Sequence, residues 1–167
     1  MKKSKLQNII LDNLDVKNKI QRISLEILED NIDEKEVIFF GISDNGKIIA
    51  KKIINLLSKI SKINLELICV EINAESNNIR FDKSFIAKKK SIVIVSDVSH
   101  SARTLQIVIS NLIDLNPSKI KTAVMVNRDH SLFPVKINFS GLNLSTSVNE
   151  HVAVEVNKDD EFTVYLN

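Results

Sequence analysis

Apolar positions along the chain fall into two alternating patterns. Val16, Ile20, Ile23 and Ile27 recur at helical spacing behind Asp15, a residue type that caps helices, which predicts a first helix over roughly 16–30. Val37 to Phe40 is a short apolar run stopped by Gly41 and reads as a buried strand; the polar stretch Ser43-Asp44-Asn45-Gly46 after it reads as a loop. Ile49, Ile53, Leu56, Leu57 and Ile60 predict a second helix, and Leu65 to Ile72 the next strand. Residues 73–90 are polar, weakly patterned and end in three lysines, so a loop is expected there. Ile92 to Val95 is the clearest buried strand. A polar turn follows, then a helix carrying Leu105, Val108, Ile109, Leu112 and Ile113 that Asn116-Pro117 stops. Thr122 to Val126 is a further strand, and the tail from Val135 holds strand-like pieces around Gly141, Val152 to Val156 and Phe162 to Leu166.

Strands alternating with helices predict an α/β fold: a parallel sheet with helices on both faces and a small strand-rich piece at the C-terminal end. No internal repeat or linker interrupts the chain, so one domain over 1–167 is expected, with the N-terminal helical segment (1–33) included.

Composition narrows this reading only a little. With 44% hydrophobic and 26% charged residues in 167, the chain can bury a core and is too apolar for disorder. A formal net charge of +2 announces no polyanion partner. The single cysteine, Cys69, lies in an apolar run and reads as a buried, inert thiol. Met1, Lys2 and Lys3 are basic, but the segment after them is short and carries Asp12 and Asp15, so no secretory signal is expected, and no stretch is long enough to cross a bilayer; cytoplasm is the expected compartment. His151 has no companions at metal-ligand spacing, and no protein-held metal is expected.

In a parallel sheet, ligands bind beyond the carboxyl ends of the strands. The segment after Val95 reads Ser96-Asp97-Val98-Ser99-His100-Ser101-Ala102-Arg103-Thr104. Asp97 can accept hydrogen bonds from ribose hydroxyls, Ser101 and Thr104 offer hydroxyl donors, and the start of the following helix favours an anion. Arg103 adds charge at the rim. The same residues also suit plain capping, with Ser99 or Ser101 as N-cap and Asp97 closing the turn.

Val93 to Thr104, VIVSDVSHSART, resembles the PRPP-binding signature of type I phosphoribosyltransferases (PRPP is phosphoribosyl pyrophosphate). Downstream, Leu112 to Val156 is similar to the pyrimidine operon attenuator/uracil phosphoribosyltransferase group, through Val126-Asn127-Arg128-Asp129-His130, Pro134, Gly141 and Thr146-Ser147. Phe40-Gly41-Ile42 with Gly46 and Ala50-Lys51 falls where that group has its pyrophosphate loop and second helix. The resemblance implies Mg-dependent transfer of ribose 5-phosphate from PRPP to a pyrimidine-like nucleobase, with the Mg arriving on the ligand. It implies a phosphate loop over Ser96–Thr104, a pyrophosphate loop over Ile42, Ser43, Asp44, Asn45 and Gly46, and base-side residues Arg128 and His130. It also implies a homodimer, and in some relatives RNA binding through a basic face; here Lys88-Lys89-Lys90 with Lys83 is a short run that reads as a solvated surface.

Three positions depart from the family pattern. Ser96 stands for the first acidic residue and Ala102 for the loop glycine. The pyrophosphate loop Ser43-Asp44-Asn45-Gly46 lacks the basic residue often found there, with Asp44 repelling a pyrophosphate unless Mg lies between them. In the 73–84 segment, Arg80 is a candidate anion contact and equally a solvated loop arginine. The departures keep open a second class of function, a catalytically degenerate module that senses nucleotides or RNA, and a third, the silent partner of an active paralogue.

Overall fold

The structure is a computed structural model that describes residues 8–73, 75–145 and 150–166. A six-stranded sheet in the order β4-β3-β2-β5-β6-β7 carries helices on both faces, and a three-stranded sheet in the order β1-β9-β8 forms a hood beside it. The strands are β1 (Asn8–Leu11), β2 (Glu36–Ile42), β3 (Asn64–Ile72), β4 (Ile79–Phe81), β5 (Ser91–Ser99), β6 (Lys119–Arg128), β7 (Phe139–Leu144), β8 (Val152–Val156) and β9 (Phe162–Leu166). The helices are α1 (Asn13–Asp30), α2 (Ser43–Ile60) and α3 (Arg103–Ile113). The main sheet is parallel except for β4, which returns antiparallel on β3.

The two central strands, β2 and β5, are buried on both faces, which is why they read as continuous apolar runs. On one face Val37, Phe39, Val93 and Val95 pack with the buried stripes of α1 and α2 and with Leu11, Val152, Phe162 and Val164 of the hood. On the other, Phe40, Ile68, Ile92 and Ile94 pack with Leu105, Val108 and Leu112 of α3. The first helix begins earlier than expected. Its cap is Asp12, whose Oδ1 accepts from Asp15 N at 2.8 Å while Asp12 N donates to Asp15 Oδ2 at 3.1 Å. This reciprocal capping box makes Asp15 the third helical residue, not the cap.

The expected loop over 73–90 holds the short strand β4. Phe81 and Phe85 anchor it through edge-on contacts with Phe40, at ring separations of 5.7 and 5.0 Å. Asn31, buried at the end of α1, accepts from Ser91 Oγ at 2.6 Å and so ties the helix to the start of β5. Arg22 of α1 reaches the far edge, where its Nη2 donates to the carbonyls of Ser140 (2.7 Å) and Gly141 (3.0 Å) on β7. No described helix is long and apolar enough to cross a membrane.

Candidate functional site

The carboxyl ends of β2 and β5 meet the starts of α2 and α3. β2 runs straight into α2, with Ser43 turning the chain in the left-handed region at φ 61°. Ser43 to Gly46 are therefore the first turn of α2 and not the loop expected from their polarity. Gly46 permits this, because a Cβ there would lie 2.7 Å from the carbonyl oxygen of Val95; the helix start rests directly on β5. Among the described residues no side chain caps the first turn of α2, so its N–H groups face the site unsatisfied by a cap.

β5 also outruns its apolar core. Ser96, Val98 and Ser99 stay in register with Val124, Val126 and Asn127 of β6, so Ser96–Ser99 are strand and the loop shrinks to His100–Ala102. Cross-strand pairing overrides local polarity here. Ala102 precedes α3 at φ 63° and ψ 8°, a left-handed conformation costing about 1–2 kcal/mol for a residue with a Cβ. Alanine thus adopts the backbone a glycine would take freely.

Asp97, half-buried, is held on both oxygens. Oδ2 accepts from Asn45 Nδ2 at 2.9 Å, and Oδ1 accepts from Val98 N at 2.8 Å, with the Ser96 hydroxyl at 3.4 Å. The same Asn45 amide donates to the carbonyl of Val154 on β8 at 3.0 Å, joining α2, β5 and the hood at one side chain. The N-cap of α3 is Ala102, which has no capping side chain, so neither Ser99 nor Ser101 is the cap. Ser101 Oγ, one residue earlier, accepts from Arg103 N at 3.3 Å in a local turn, and Ser99 Oγ is buried with no hydrogen-bond partner among the described residues. The Ser101 carbonyl accepts from Leu132 N and Phe133 N (3.0 and 3.2 Å), which clamps the loop to the β6–β7 connection.

Arg128 is buried, and its Nη1 lies 3.0 Å from Nδ1 of His100 in the loop before α3. Loss of hydration lowers the His100 pKa, with Arg128 and His151 adding to the fall and Asp97 opposing it. His130 is exposed beyond the end of β6. Thr146-Ser147 lie outside the described residues. Of the basic run, Lys83 pairs with Glu66 and Lys90 with Glu36.

Two cavities open at this end of the sheet and share Ile42, Ser43, Arg103 and Thr104. The smaller, about 250 Å³, is lined by the strand end and loop from Ser96 to Leu105. The larger, about 610 Å³, extends toward β3 and takes in Asp44, Lys47, Cys69, Glu71 and Asn77. Lys47 and Glu71 were not singled out by sequence, because each reads as a solvated position on a regular element. Arg103 Nη2 donates to Asn77 Oδ1 at 3.3 Å, holding the guanidinium across the larger cavity. Arg80 sits instead on β4 opposite Glu71, exposed and outside that cavity. Burial pushes the Cys69 thiol pKa up, and Asp82 adds to it, which suits an inert thiol. Among the described residues no cluster of three or more metal-ligating side chains forms.

A mostly parallel sheet that gathers two helix starts and one strand-end carboxylate beside a small hood defines an α/β protein with a cleft at the strand ends, the place where such sheets bind ligands. The phosphoribosyl transferase domain model matches residues 7–159, and the chain belongs to that family. Among its relatives, the bifunctional protein PyrR of Clostridium beijerinckii is 30% identical over 167 aligned residues, covering 93% of this chain and 94% of the relative. The PyrR protein of Clostridium kluyveri is 31% identical, covering 94% of each. The fold is shared with hypoxanthine phosphoribosyltransferase of Trypanosoma cruzi (TM-score 0.77, 14% identity, 94% and 95% covered). It is also shared with a hypoxanthine-guanine phosphoribosyltransferase of Bacillus anthracis (TM-score 0.73, 13% identity, 86% and 85% covered).

Proposed function

We propose that the protein binds the ribose 5-phosphate part of PRPP or of a nucleoside monophosphate in the smaller cavity, and transfers that group to a pyrimidine-like base with release of pyrophosphate. The observation that carries this reading is the left-handed turn at Ala102. It holds the start of α3 toward the cavity although Ala must bear the strain, and a costly backbone conformation persists where surrounding structure over-determines it. Backbone N–H groups of the His100–Arg103 turn and the hydroxyls of Ser101 and Thr104 take the 5-phosphate. Asp97, with Oδ2 oriented by Asn45 and Oδ1 by Val98 N and the Ser96 hydroxyl, retains acceptor capacity for the ribose hydroxyls.

Positioning and charge management are what such a transfer asks of the protein. A Mg ion carried in on the diphosphate fits the hard oxygen donors Asp44 and Glu71, and when bound it neutralises charge on the leaving group. Arg128 supports the loop through His100; the resemblance assigns Arg128 and His130 to the base side.

A second reading has its own observation. Ser96 leaves a single carboxylate at the strand end, and Asn45 already occupies one side of it, which favours a nucleotide-binding module without turnover. Titration of PRPP with Mg, followed by a pyrophosphate-release assay with uracil, separates the two. Saturable binding with release supports the transferase. Binding without release supports the sensor, and absence of binding to PRPP and to nucleoside monophosphates refutes both.

A further inference from the structure

Arg128 is buried at the end of β6, and the ring of His100 lies against it, with Nδ1 at 3.0 Å from Nη1. A guanidinium carries donors only, so this contact requires a lone pair on Nδ1: the docked imidazole is neutral, with its proton on Nε2. A proton on Nδ1 would set two donors and two positive charges face to face. The docked position of His100 therefore belongs to one protonation state.

The surrounding groups favour that state. Loss of hydration is the largest influence holding the ring neutral; Arg128 and then His151, just before the hood strand β8, act the same way, and Asp97 on β5 opposes them. Arg103, at the start of α3, has its guanidinium turned to Asn77. Beyond β6, Asp129 accepts from the Ser145 hydroxyl at 2.8 Å and His130 is exposed; Glu150, half-buried, precedes His151.

Burial does not lock the ring in place. His100 is exposed and lines the smaller cavity, whereas Arg128 is 7% exposed. The main chain of the loop has its own anchor, because the Ser101 carbonyl accepts from Leu132 N and Phe133 N. Rotation about its side-chain bonds can thus carry the imidazole from Arg128 to the cavity while the backbone stays. A phosphoryl dianion there favours the imidazolium and pairs with it.

We propose that His100 is a proton-coupled ligand contact: neutral and docked on Arg128 when the smaller cavity is empty, protonated and paired with the phosphoryl group when a phosphate monoester is bound. The protein then takes up a proton from solvent as it binds. The His100 contribution to affinity is greatest at low pH and is lost as pH rises through neutrality. The inference rests on the ribose-phosphate reading above.

Uridine monophosphate and ribose 5-phosphate are titrated calorimetrically into the wild type, His100→Gln and His151→Gln between about pH 6 and pH 8, in pairs of buffers with different ionisation heats. Glutamine offers Arg128 a carbonyl acceptor and does not titrate. The second ionisation of the phosphate, near about pH 6, is common to all three proteins and cancels between them. The expected result is an uptake of up to about one proton more per ligand in wild type than in His100→Gln. Wild-type affinity relative to that variant should fall by up to about tenfold per pH unit. His151→Gln should retain the uptake. Equal uptake in wild type and His100→Gln overturns the proposal alone, as does loss of the uptake in His151→Gln, which would place the proton on the hood. A wild type that binds neither monoester overturns the ribose-phosphate reading and this inference with it. An NMR titration needs no substitution: the His100 midpoint should rise on saturation with uridine monophosphate, and a midpoint that stays or falls overturns the proposal. In the free protein at alkaline pH the ring should carry its proton on Nε2; a proton on Nδ1 refutes the docked state.

Discussion

Replacing Asn45 by Asp keeps the shape of the side chain and exchanges its two donor protons for an acceptor. The amide now gives one proton to Asp97 Oδ2 at 2.9 Å and one to the Val154 carbonyl at 3.0 Å, so the variant sets a carboxylate against two oxygens. A hydrogen bond to a charged group is worth about 1.5–3 kcal/mol and one to a carbonyl about 1 kcal/mol. Two carboxylates at about 3 Å repel by about 6 kcal/mol at an effective dielectric constant of 20. Protonating one of them caps the repulsion, because holding a proton on a carboxyl of ordinary pKa at pH 7 costs about 4 kcal/mol, or about 1.4 kcal/mol per pH unit. Once protonated, the introduced carboxyl also regains a donor. Urea denaturation followed by circular dichroism should therefore show a loss of about 4 kcal/mol at pH 7 that shrinks toward about 1 kcal/mol near pH 4. The pair binds a proton more tightly folded than unfolded, so its contribution is most favourable at low pH and declines as pH rises through the carboxylate range. Asn45→Ala removes both bonds without adding a second carboxylate, so it should lose about 2.5–4 kcal/mol at pH 7 and only the share owed to the charge of Asp97 should fade toward pH 4. Matching pH profiles for the Asp and Ala variants would refute the contact between α2, β5 and the hood on which the cleft depends.

Relief of the left-handed turn makes Ala102→Gly a stabilising change of about 0.5–1 kcal/mol, after the extra freedom of glycine in the unfolded chain is deducted; a lower urea midpoint than wild type would remove the strain argument. Gly46→Ala places a methyl 2.7 Å from the Val95 carbonyl and should cost at least about 2 kcal/mol, read as a fall in Tm, since backbone cannot yield there cheaply. His100 holds its proton less firmly in the folded protein than in the unfolded chain, chiefly through loss of hydration and then through Arg128. Its contribution to stability is complete above about pH 6.5 and is lost as pH falls below that; His100→Gln should flatten the acid side of the stability profile, and an NMR titration midpoint at or above 6.5 would contradict the assignment.

How far the sequence disclosed all this depends on whether a signal was local. The buried strands at the sheet centre were legible because both faces are covered and every residue from Val37 to Phe40 and Ile92 to Val95 is apolar. The extension of β5 to Ser99 was hidden because its last residues are polar and stay in register only through β6. β1 escaped notice for a related reason: four residues at one end of the chain become a strand by pairing with β9 at the other. β4 needed knowledge that Phe81 and Phe85 would meet Phe40. The segment from Ser96 to Thr104 stood out as a motif, whereas the Asn45–Asp97 contact spans 52 positions and Lys47 looks like any lysine on a helix face. Motifs disclose what neighbours along the chain do together; the cleft is made by residues that are neighbours only after folding.

The grip of Arg22 on β7 bears on how the protein behaves in a crowded solution. β7 is the outermost strand of the main sheet on that side, and successive carbonyls along a strand point to opposite sides. One of the two that Arg22 takes, Ser140 or Gly141, therefore belongs to the open edge, where a strand from another molecule would otherwise dock. A cation sent across from α1 and braced by Glu26 at 2.6 Å blunts that template, so the chain can expose a parallel edge without inviting edge-to-edge growth into fibrils.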